Sequence, residues 1–329
     1  MNIKKLQILA LLAISPTISF AQADRDKVDP TTLDRGNQPP SSVTSGSRSS
    51  ASAKASDAGA QRPIFLKTQE ISTFGGFDSK IYYDDNPFRT SGTVISQYKD
   101  AIWSNTAYLG AGLGQVELTD AVITPYVGAS LTDTEYMASG LDFLDYRSTN
   151  AYIMANIQHS NGWAYRVGVS YSSDYNDALK HETYSEFYPN LGVMKVYSHT
   201  DNILGIFNVS VGYHESTSFN SLDVTREDDL DNFDIIASYG LKFSYSNLSI
   251  SPTYAAVFKS YTEGAPSSNN DREDLIHSLN VRVEYAITNY ADVSLFGGYS
   301  KRDTKNNFAS GYDFVSGTIG LALGVNFNF

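Results

Sequence analysis

From about residue 69 onward, apolar and polar side chains alternate along the chain with a period of two. Such alternation is typical of β-strands, in which successive side chains point to opposite faces of the sheet. In the last segment Ile319, Leu321 and Leu323 share one face, whereas Gly320 and Ala322 share the other. No apolar run after residue 20 approaches the ~20 residues that a membrane-spanning helix needs. The pattern therefore predicts an all-β protein.

The alternation divides into twelve predicted strands separated by connections of two kinds. The predicted strands lie near 70–83, 100–113, 120–132, 148–158, 163–174, 188–198, 203–215, 232–245, 248–260, 274–286, 291–301 and 313–329. The short connections lie near 114–119, 159–162, 199–202, 246–247 and 287–290. The longer, polar connections lie near 84–99, 133–147, 175–187, 216–231, 261–273 and 302–312.

An even number of strands with alternating short turns and long loops is typical of a membrane β-barrel. A sheet that spans hydrocarbon cannot leave the backbone groups of an edge strand unpaired, so it has to close on itself. We therefore expect a transmembrane antiparallel up-and-down β-barrel of about 12 strands over residues 67–329.

The segment before the barrel divides into two parts. Residues 1–23 have the features of a signal peptide, namely Lys4 and Lys5, a short apolar core, and a small-residue cleavage pattern that ends at Ala23. Residues 24–66 are rich in Ser, Ala, Pro and Gly, a composition that predicts a disordered periplasmic segment. Export followed by a barrel predicts the bacterial outer membrane as the location.

The composition supports this interpretation and excludes several classes of function. The chain has 23 Tyr and 17 Phe, and aromatic rings near strand ends are expected to form two girdles at the membrane surfaces. The residues predicted for these girdles include Tyr82, Tyr83, Trp103, Trp163, Tyr165 and Tyr171. The net charge of −12 argues against nucleic acid as a partner, and the absence of Cys excludes disulfides and thiolate metal sites.

The polar faces of the predicted strands carry charged residues that would face the lumen. The predicted pore-lining residues are Arg166, Lys242, Lys259, Arg282, Glu284, Asp234 and Asp292. In a water-filled barrel these side chains would set selectivity, and in a filled barrel they would form internal ion pairs. Because many inward positions, such as Gly168 and Ser238, are small, we expect a narrow pore.

Three stretches resemble porin-like outer-membrane barrels, including barrels associated with polysaccharide export. The run from Lys80 to Arg89 contains Tyr-Asp-Asp-Asn, which resembles the end of the first strand in those families. Residues 290–302 are similar to their penultimate strand, and residues 311–329 to their closing strand. The resemblance implies that the barrel-assembly machinery recognises the strand that ends at Phe329. It implies no catalytic residues.

Other candidate sites are weaker. His159 and Ser160 faintly resemble the motif of outer-membrane lipid hydrolases, but adjacent strand residues point to opposite faces, and Asn161-Gly162 is a common turn pair. We therefore expect a turn there and no catalytic residues. The five His are scattered, so neither a metal site nor a cofactor is predicted.

Two acidic clusters fall in predicted outer loops. Their members are Glu227, Asp228, Asp229 and Asp231 in one cluster, and Asp271, Glu273 and Asp274 in the other. One interpretation is divalent-cation bridging to lipopolysaccharide. The spacing of a calcium loop is absent, so a solvated charged loop is the favoured interpretation.

The sequence supports three functions, in decreasing order. The first is a narrow porin-like channel for small polar solutes, or an accessory of saccharide export. The second is a structural or adhesion barrel with a filled lumen and functional surface loops. The third is an outer-membrane lipid hydrolase. Outer-membrane lipid and lipopolysaccharide are the expected partners, and a monomer is favoured.

Overall fold

The computed structural model describes residues 71–87, 99–138, 144–177, 180–219, 225–227, 230–262, 271–305 and 313–328. The described residues form fourteen strands. Their bounds are β1 Ser72–Asp84, β2 Asp100–Gly112, β3 Val116–Glu117, β4 Ala121–Tyr136, β5 Tyr146–His159, β6 Trp163–Asn176, β7 His181–Thr200, β8 Ile203–Phe219, β9 Thr225–Glu227, β10 Asn232–Tyr245, β11 Leu248–Tyr261, β12 Glu273–Ala286, β13 Ala291–Lys305 and β14 Phe314–Asn328.

Twelve long strands close into one antiparallel barrel. Each long strand pairs with the long strands before and after it in the chain, and β1 pairs with β14 to complete the ring. The short strands β3 and β9 pair with β4 and β8 outside this ring. Across the described ranges, no helix is both long and apolar enough to cross a membrane. The all-β, up-and-down barrel predicted from the alternation is confirmed.

The two ends of the barrel differ in their connections. Short connections such as 160–162, 201–202 and 246–247 lie at one end, together with the beginning of β1 and the end of β14. We call it the turn end. The opposite end, where most of the connections are longer, is the loop end. The predicted signal peptide, the segment 24–66 and Phe329 lie outside the described residues.

One predicted loop is wrong. Residues 175–187 belong largely to strands, because β6 continues to Asn176 and β7 begins at His181. The register between these strands shifts at Asp174 and Tyr175, which marks a β-bulge. A bulge adds one residue to one strand and interrupts the simple alternation, so the period-two pattern weakens here although the sheet continues.

The outward face of the barrel is an apolar band between two rows of aromatic side chains. Exposed aromatic residues near the loop end are Tyr83, Trp103, Tyr171, Tyr175, Phe187, Tyr213, Phe233 and Tyr299. Those near the turn end are Tyr165, Tyr197, Tyr245, Tyr285, Tyr290 and Phe327. The band between them includes Leu109, Ile153, Val167, Leu191, Leu279, Leu295, Ile319 and Leu321. Tyr82 does not belong to either row, contrary to prediction, because it is buried and packs against Phe296 inside the barrel.

Inside the barrel, several aromatic rings occupy the space over glycines of the neighbouring strand. Phe74, Tyr108, Tyr126, Tyr152 and Met154, which we call the aromatic cluster, fill the turn end on the wall formed by β1, β2, β4 and β5. The ring of Phe74 covers its cross-strand partner Gly110, and the ring of Tyr152 covers Gly128. A side chain at either glycine would overlap the ring. Each of these aromatic residues therefore packs against a residue without a side chain, and this pairing fills the wall.

Candidate functional site

The seven predicted pore-lining residues all lie on inward positions of their strands. Asp234 and Lys259 are buried cross-strand partners on β10 and β11. The Nε of Arg282 lies 3.5 Å from Oε2 of Glu284 on the same strand. Arg166 lies on β6, Lys242 on β10 and Asp292 on β13. That these residues line an open pore stays a prediction.

The structure adds a set of buried charges that extends from β7 to β13, opposite the wall of the aromatic cluster. We call this set the charge ladder, and it lies toward the loop end. Its members are Glu186 on β7, His214 on β8, Asp234 on β10, Lys259 on β11, Asp274 on β12, Arg272 immediately before β12, and Arg302 on β13. All seven side chains are at most 5% exposed.

His214 joins the carboxylates on its two neighbouring strands. Its Nδ1 lies 2.7 Å from Oε2 of Glu186, and its Nε2 lies 3.5 Å from Oδ2 of Asp234. The ring of Tyr188 stacks on the imidazole with a centroid separation of 4.1 Å. The two carboxylates on either side of the imidazole stabilise its protonated form, because that form carries a positive charge and has two N–H donors.

Lys259 and Asp274 continue the alternation of charge. Lys259 is the cross-strand partner of both Asp234 and Asp274, which lie on its two sides. Arg272 donates from Nε and Nη2 to the two oxygens of Asp274 at 3.0 and 2.6 Å. Nη1 of Arg302 lies 3.9 Å from the same carboxylate. From β7 to β13 the wall therefore alternates between acidic and basic groups.

Tyrosines provide further hydrogen bonds to the carboxylates of the charge ladder. Tyr184 donates to Oε2 of Glu186 at 2.6 Å, and Tyr188 donates to Asp234 at 3.2 Å. Tyr261 donates to Asp274 at 3.4 Å and also lies under the guanidinium of Arg272, 4.4 Å from the ring centroid. A buried charge is tolerated only when it is paired and hydrogen-bonded, and these contacts supply both conditions.

The acidic clusters predicted as solvated loops have a different role. Asp274 is fully buried in the charge ladder. Asp231 is also buried, and its Oδ1 accepts from the backbone N and the hydroxyl of Ser216 at 2.6 and 2.9 Å. Asp228 and Asp229 lie outside the described residues. The solvated interpretation is thus wrong for Asp231 and Asp274, because each carboxylate is bonded to a residue from a predicted loop, Ser216 for Asp231 and Arg272 for Asp274.

Several members of the charge ladder are not predicted from the sequence. Glu186 falls in the predicted loop 175–187, and Arg272 and Arg302 fall in other predicted loops. His214 lies in a predicted strand on the same face as Ser210 and Gly212, so its inward direction is available from the alternation. Its two carboxylate partners cannot be predicted in this way, because they lie on the two neighbouring strands and the alternation does not give the register of those strands.

The His159-Ser160 segment forms the turn between β5 and β6. The backbone N of Gly162 donates to the carbonyl of His159 at 3.1 Å, and Gly162 has a φ of 86°, which favours glycine. The backbone N of Asn161 donates to Nδ1 of His159 at 3.2 Å. Among the described residues, no group of three or more His, Cys, Asp or Glu is arranged to hold a metal ion.

Comparisons with known proteins found matches among solved structures only. No family model matches the chain, and no curated protein matches it in sequence. An outer-membrane channel from Pseudomonas putida F1 is 13% identical with a TM-score of 0.49, and the match covers 77% of this chain and 96% of that one. The KdgM porin is 10% identical with a TM-score of 0.39, covering 77% and 99%. An anion-selective porin from Comamonas acidovorans is 7% identical with a TM-score of 0.40, covering 79% and 100%. These values are too low to indicate a shared function.

Proposed function

We propose that the chain is a bacterial outer-membrane protein that forms a narrow, porin-like channel for small polar solutes. The observation that carries this proposal is the contrast between the two faces of one closed barrel. The outward face is apolar between two aromatic rows, whereas the inward face carries the charge ladder. A barrel with this polarity matches hydrocarbon outside and polar solutes inside.

The dimensions of the apolar band fit a membrane. On β7 the outward positions from Phe187 to Tyr197 span eleven residues, and Lys195 near the turn end is their one charged member. A tilted strand needs about 9–11 residues to cross the hydrocarbon region. Lys195 lies over the ring of Trp163 at 4.7 Å from the centroid, as expected of a cation at the headgroup level.

The charge ladder would act as the constriction of this channel. Its side chains are nearly inaccessible, whereas Arg282 and Glu284 nearer the turn end keep side-chain exposures of 15% and 28%. On this wall the charged side chains are therefore more exposed toward the turn end than at the charge ladder. A narrow section of the lumen with alternating charges would admit small solutes and contact them through both polar and charged side chains.

Conductance in planar bilayers tests the channel. The full-length protein, refolded and inserted into the bilayer, is expected to give discrete conductance steps, and liposome swelling is expected to be faster with monosaccharides than with larger oligosaccharides. The absence of steps in repeated insertions would contradict the channel. Uptake of larger saccharides would favour the variant of the proposal in which the barrel assists saccharide export.

The inward direction of Lys242 leads to a prediction about selectivity. Lys242→Glu is expected to shift the reversal potential in a salt gradient toward cation permeation, because the substitution reverses a charge on the lumen wall. Lys195→Glu is the matched control, since Lys195 lies on the outward face beside Trp163 and Tyr197. Equal shifts in both variants, or no shift in the first, would contradict the lumen position of Lys242.

A second candidate is a structural or adhesion barrel with a filled lumen. The burial of the charge ladder favours it, because Asp234, Asp274 and His214 are 0%, 0% and 2% exposed. In that case the ladder serves as an internal framework, as ion pairs do in small filled barrels. A stable, folded protein that gives no conductance would support this candidate over the channel.

The proposed partners follow from the location. We infer contacts with outer-membrane lipid and lipopolysaccharide, recognition of the strand that ends at Phe329 by the barrel-assembly machinery, and a monomeric state. No enzymatic activity, cofactor or nucleic acid is part of this proposal. Crosslinking in intact cells, followed by gel electrophoresis, tests the oligomeric state, and a crosslinked dimer would contradict the monomer.

A further inference from the structure

The joint between β1 and β14 differs from the other eleven joints of the ring. Every other pair of neighbouring long strands is consecutive along the chain, whereas β1 and β14 come from the two ends of the barrel sequence. A turn sets the register of a hairpin, and this joint has no turn. A slip of two residues would keep every side chain on its own face, so the in–out alternation does not prevent it.

At the loop end, side chains extend this joint beyond the last residue of β1. Strand pairing stops where Asp84 faces Thr318, although β14 continues outward to Phe314. The backbone N of Asp85 donates to the carbonyl of Gly317 at 3.2 Å, and Oδ1 of Asp85 accepts from the backbone N of Gly317 at 2.7 Å. The carboxylate thus takes the place that a backbone carbonyl would occupy in a continuing strand.

Asn86 and Asp84 complete this arrangement. Nδ2 of Asn86 donates to the carbonyl of Val315 at 3.0 Å, again in the manner of a strand backbone. Oδ1 of Asp84 accepts from the hydroxyl of Ser316 and from the backbone N of Asn86, both at 2.9 Å. Asp84, Asn86 and Ser316 are at most 4% exposed, so these bonds are shielded from water.

We propose that Asp84, Asp85 and Asn86 form a seam clasp, which sets the register in which the last strand closes onto the first. The partners on β14 described above are Val315, Ser316 and Gly317, about 230 positions away in the sequence, so these bonds form only when the barrel closes. A slip of two residues would place Val315 or Ile319 where Gly317 lies, and their side chains would crowd the carboxylate of Asp85, because a Cβ at Gly317 would already lie 3.2 Å from its Oδ2. It would also move Tyr82 from Gly320 to Thr318 or Ala322, where a side chain would meet its ring.

The absence of Cys in the sequence allows a direct measurement of register. Ser79 faces Leu323 across the joint, on the outward face. In otherwise unchanged protein refolded into phospholipid vesicles, the pair Ser79→Cys and Leu323→Cys is expected to form a disulfide on mild oxidation. Ser79→Cys combined with Leu321→Cys or with Val325→Cys reports a slip of two residues in either direction, and these pairs are expected to react poorly.

The clasp is tested by adding Asp85→Ala and Asn86→Ala to each pair. The ratio of slipped to native disulfide is expected to rise about tenfold, because the native register loses two hydrogen bonds, whereas the slipped registers lose a carboxylate that would be crowded by Val315 or Ile319. Asp85→Asn is expected to restore the native ratio, since its side-chain oxygen can still accept from Gly317. Asp133→Ala is the matched control, because this residue lies near the loop end of another joint and pairs with Arg147.

Two outcomes would overturn the proposal. One is an unchanged disulfide ratio in a clasp variant that folds, as judged by its heat-dependent mobility in gels. The other is an equal loss of folding in the Asp85→Asn and Asp85→Ala variants, which would show that the hydrogen bond to Gly317 is not the relevant feature. Neither readout depends on conductance, so the clasp is tested separately from the proposed channel.

Discussion

Replacing Asp274 with alanine is expected to lower the free energy of unfolding by about 3–5 kcal/mol, the range observed when one partner of a buried ion pair is removed. Asp274 is 0% exposed and accepts two hydrogen bonds from Arg272. Lys259 and Arg302 also lie beside it. Its removal would leave three cations close together without a carboxylate between them, at a site with little access to water.

Denaturant-induced unfolding of the protein in vesicles, followed by tryptophan fluorescence, measures this effect. Asp303→Ala is the matched control. Asp303 lies 2.8 Å from Lys301 in an ion pair, but both side chains face outward and are about half exposed. Exposed pairs add little stability, so the control should unfold at the same denaturant concentration as the unchanged protein. Equal destabilisation in the two variants would contradict the idea that the charge ladder is a buried, mutually dependent network.

The second large effect is expected at Gly320, on β14. In Gly320→Ala the new methyl group would lie 2.5 Å from the carbonyl oxygen of Ile81 and 2.6 Å from Cζ of Phe296, and it would also contact Cβ of Tyr82. Two of these neighbours are backbone or backbone-attached atoms and cannot rotate away. We expect a loss of about 1–3 kcal/mol, the usual cost of overpacking, or failure of β14 to close onto β1.

Gly192→Ala is the control for this substitution. Gly192 also points inward from the middle of a strand, but the nearest atom to a methyl group there, Nη2 of Arg166, is 3.5 Å away. That distance is ordinary van der Waals contact, so Gly192→Ala should fold and unfold as the unchanged protein does. Gel mobility before and after heating, together with denaturant unfolding, compares the two variants. Similar behaviour of both would mean that the packing of Tyr82 and Phe296 on Gly320 is not tight.

Most of the architecture could be predicted from the sequence, because alternation reports directly which side of a strand is buried. All twelve predicted strands overlap the twelve long strands of the barrel, and β10 matches its predicted range in both bounds, Asn232–Tyr245. The errors concentrate at the loop end, where β6, β7 and β8 extend further than predicted. There the outward side chains become polar beyond the apolar band, so the contrast between the two faces fades although the backbone pairing continues.

The sequence predicts which residues point into the barrel, but it does not predict which residues they contact there. Alternation assigns Asp234 and Lys259 to the lumen, and the structure places them opposite each other on adjacent strands. A single residue such as His214 gives no signal in the sequence, since its role depends on Glu186 and Asp234 on either side of it. The prediction that Tyr82 faces outward is wrong. Tyr82 and Tyr83 are the same residue type, but successive residues of a strand point to opposite faces, and here only Tyr83 faces outward.

The separation of an apolar outward face from a polar inward face thus follows from the order of residues alone, because it depends on neighbours one or two positions apart. Strand number and strand order follow from the spacing of the connections between strands. The charge ladder and the seam clasp do not follow from either. The members of the charge ladder come from different strands, and Asp84 of the clasp meets Ser316 only after the ring has closed. Register between distant strands is decided by the summed packing and hydrogen bonding of the whole barrel, and no local pattern encodes that sum.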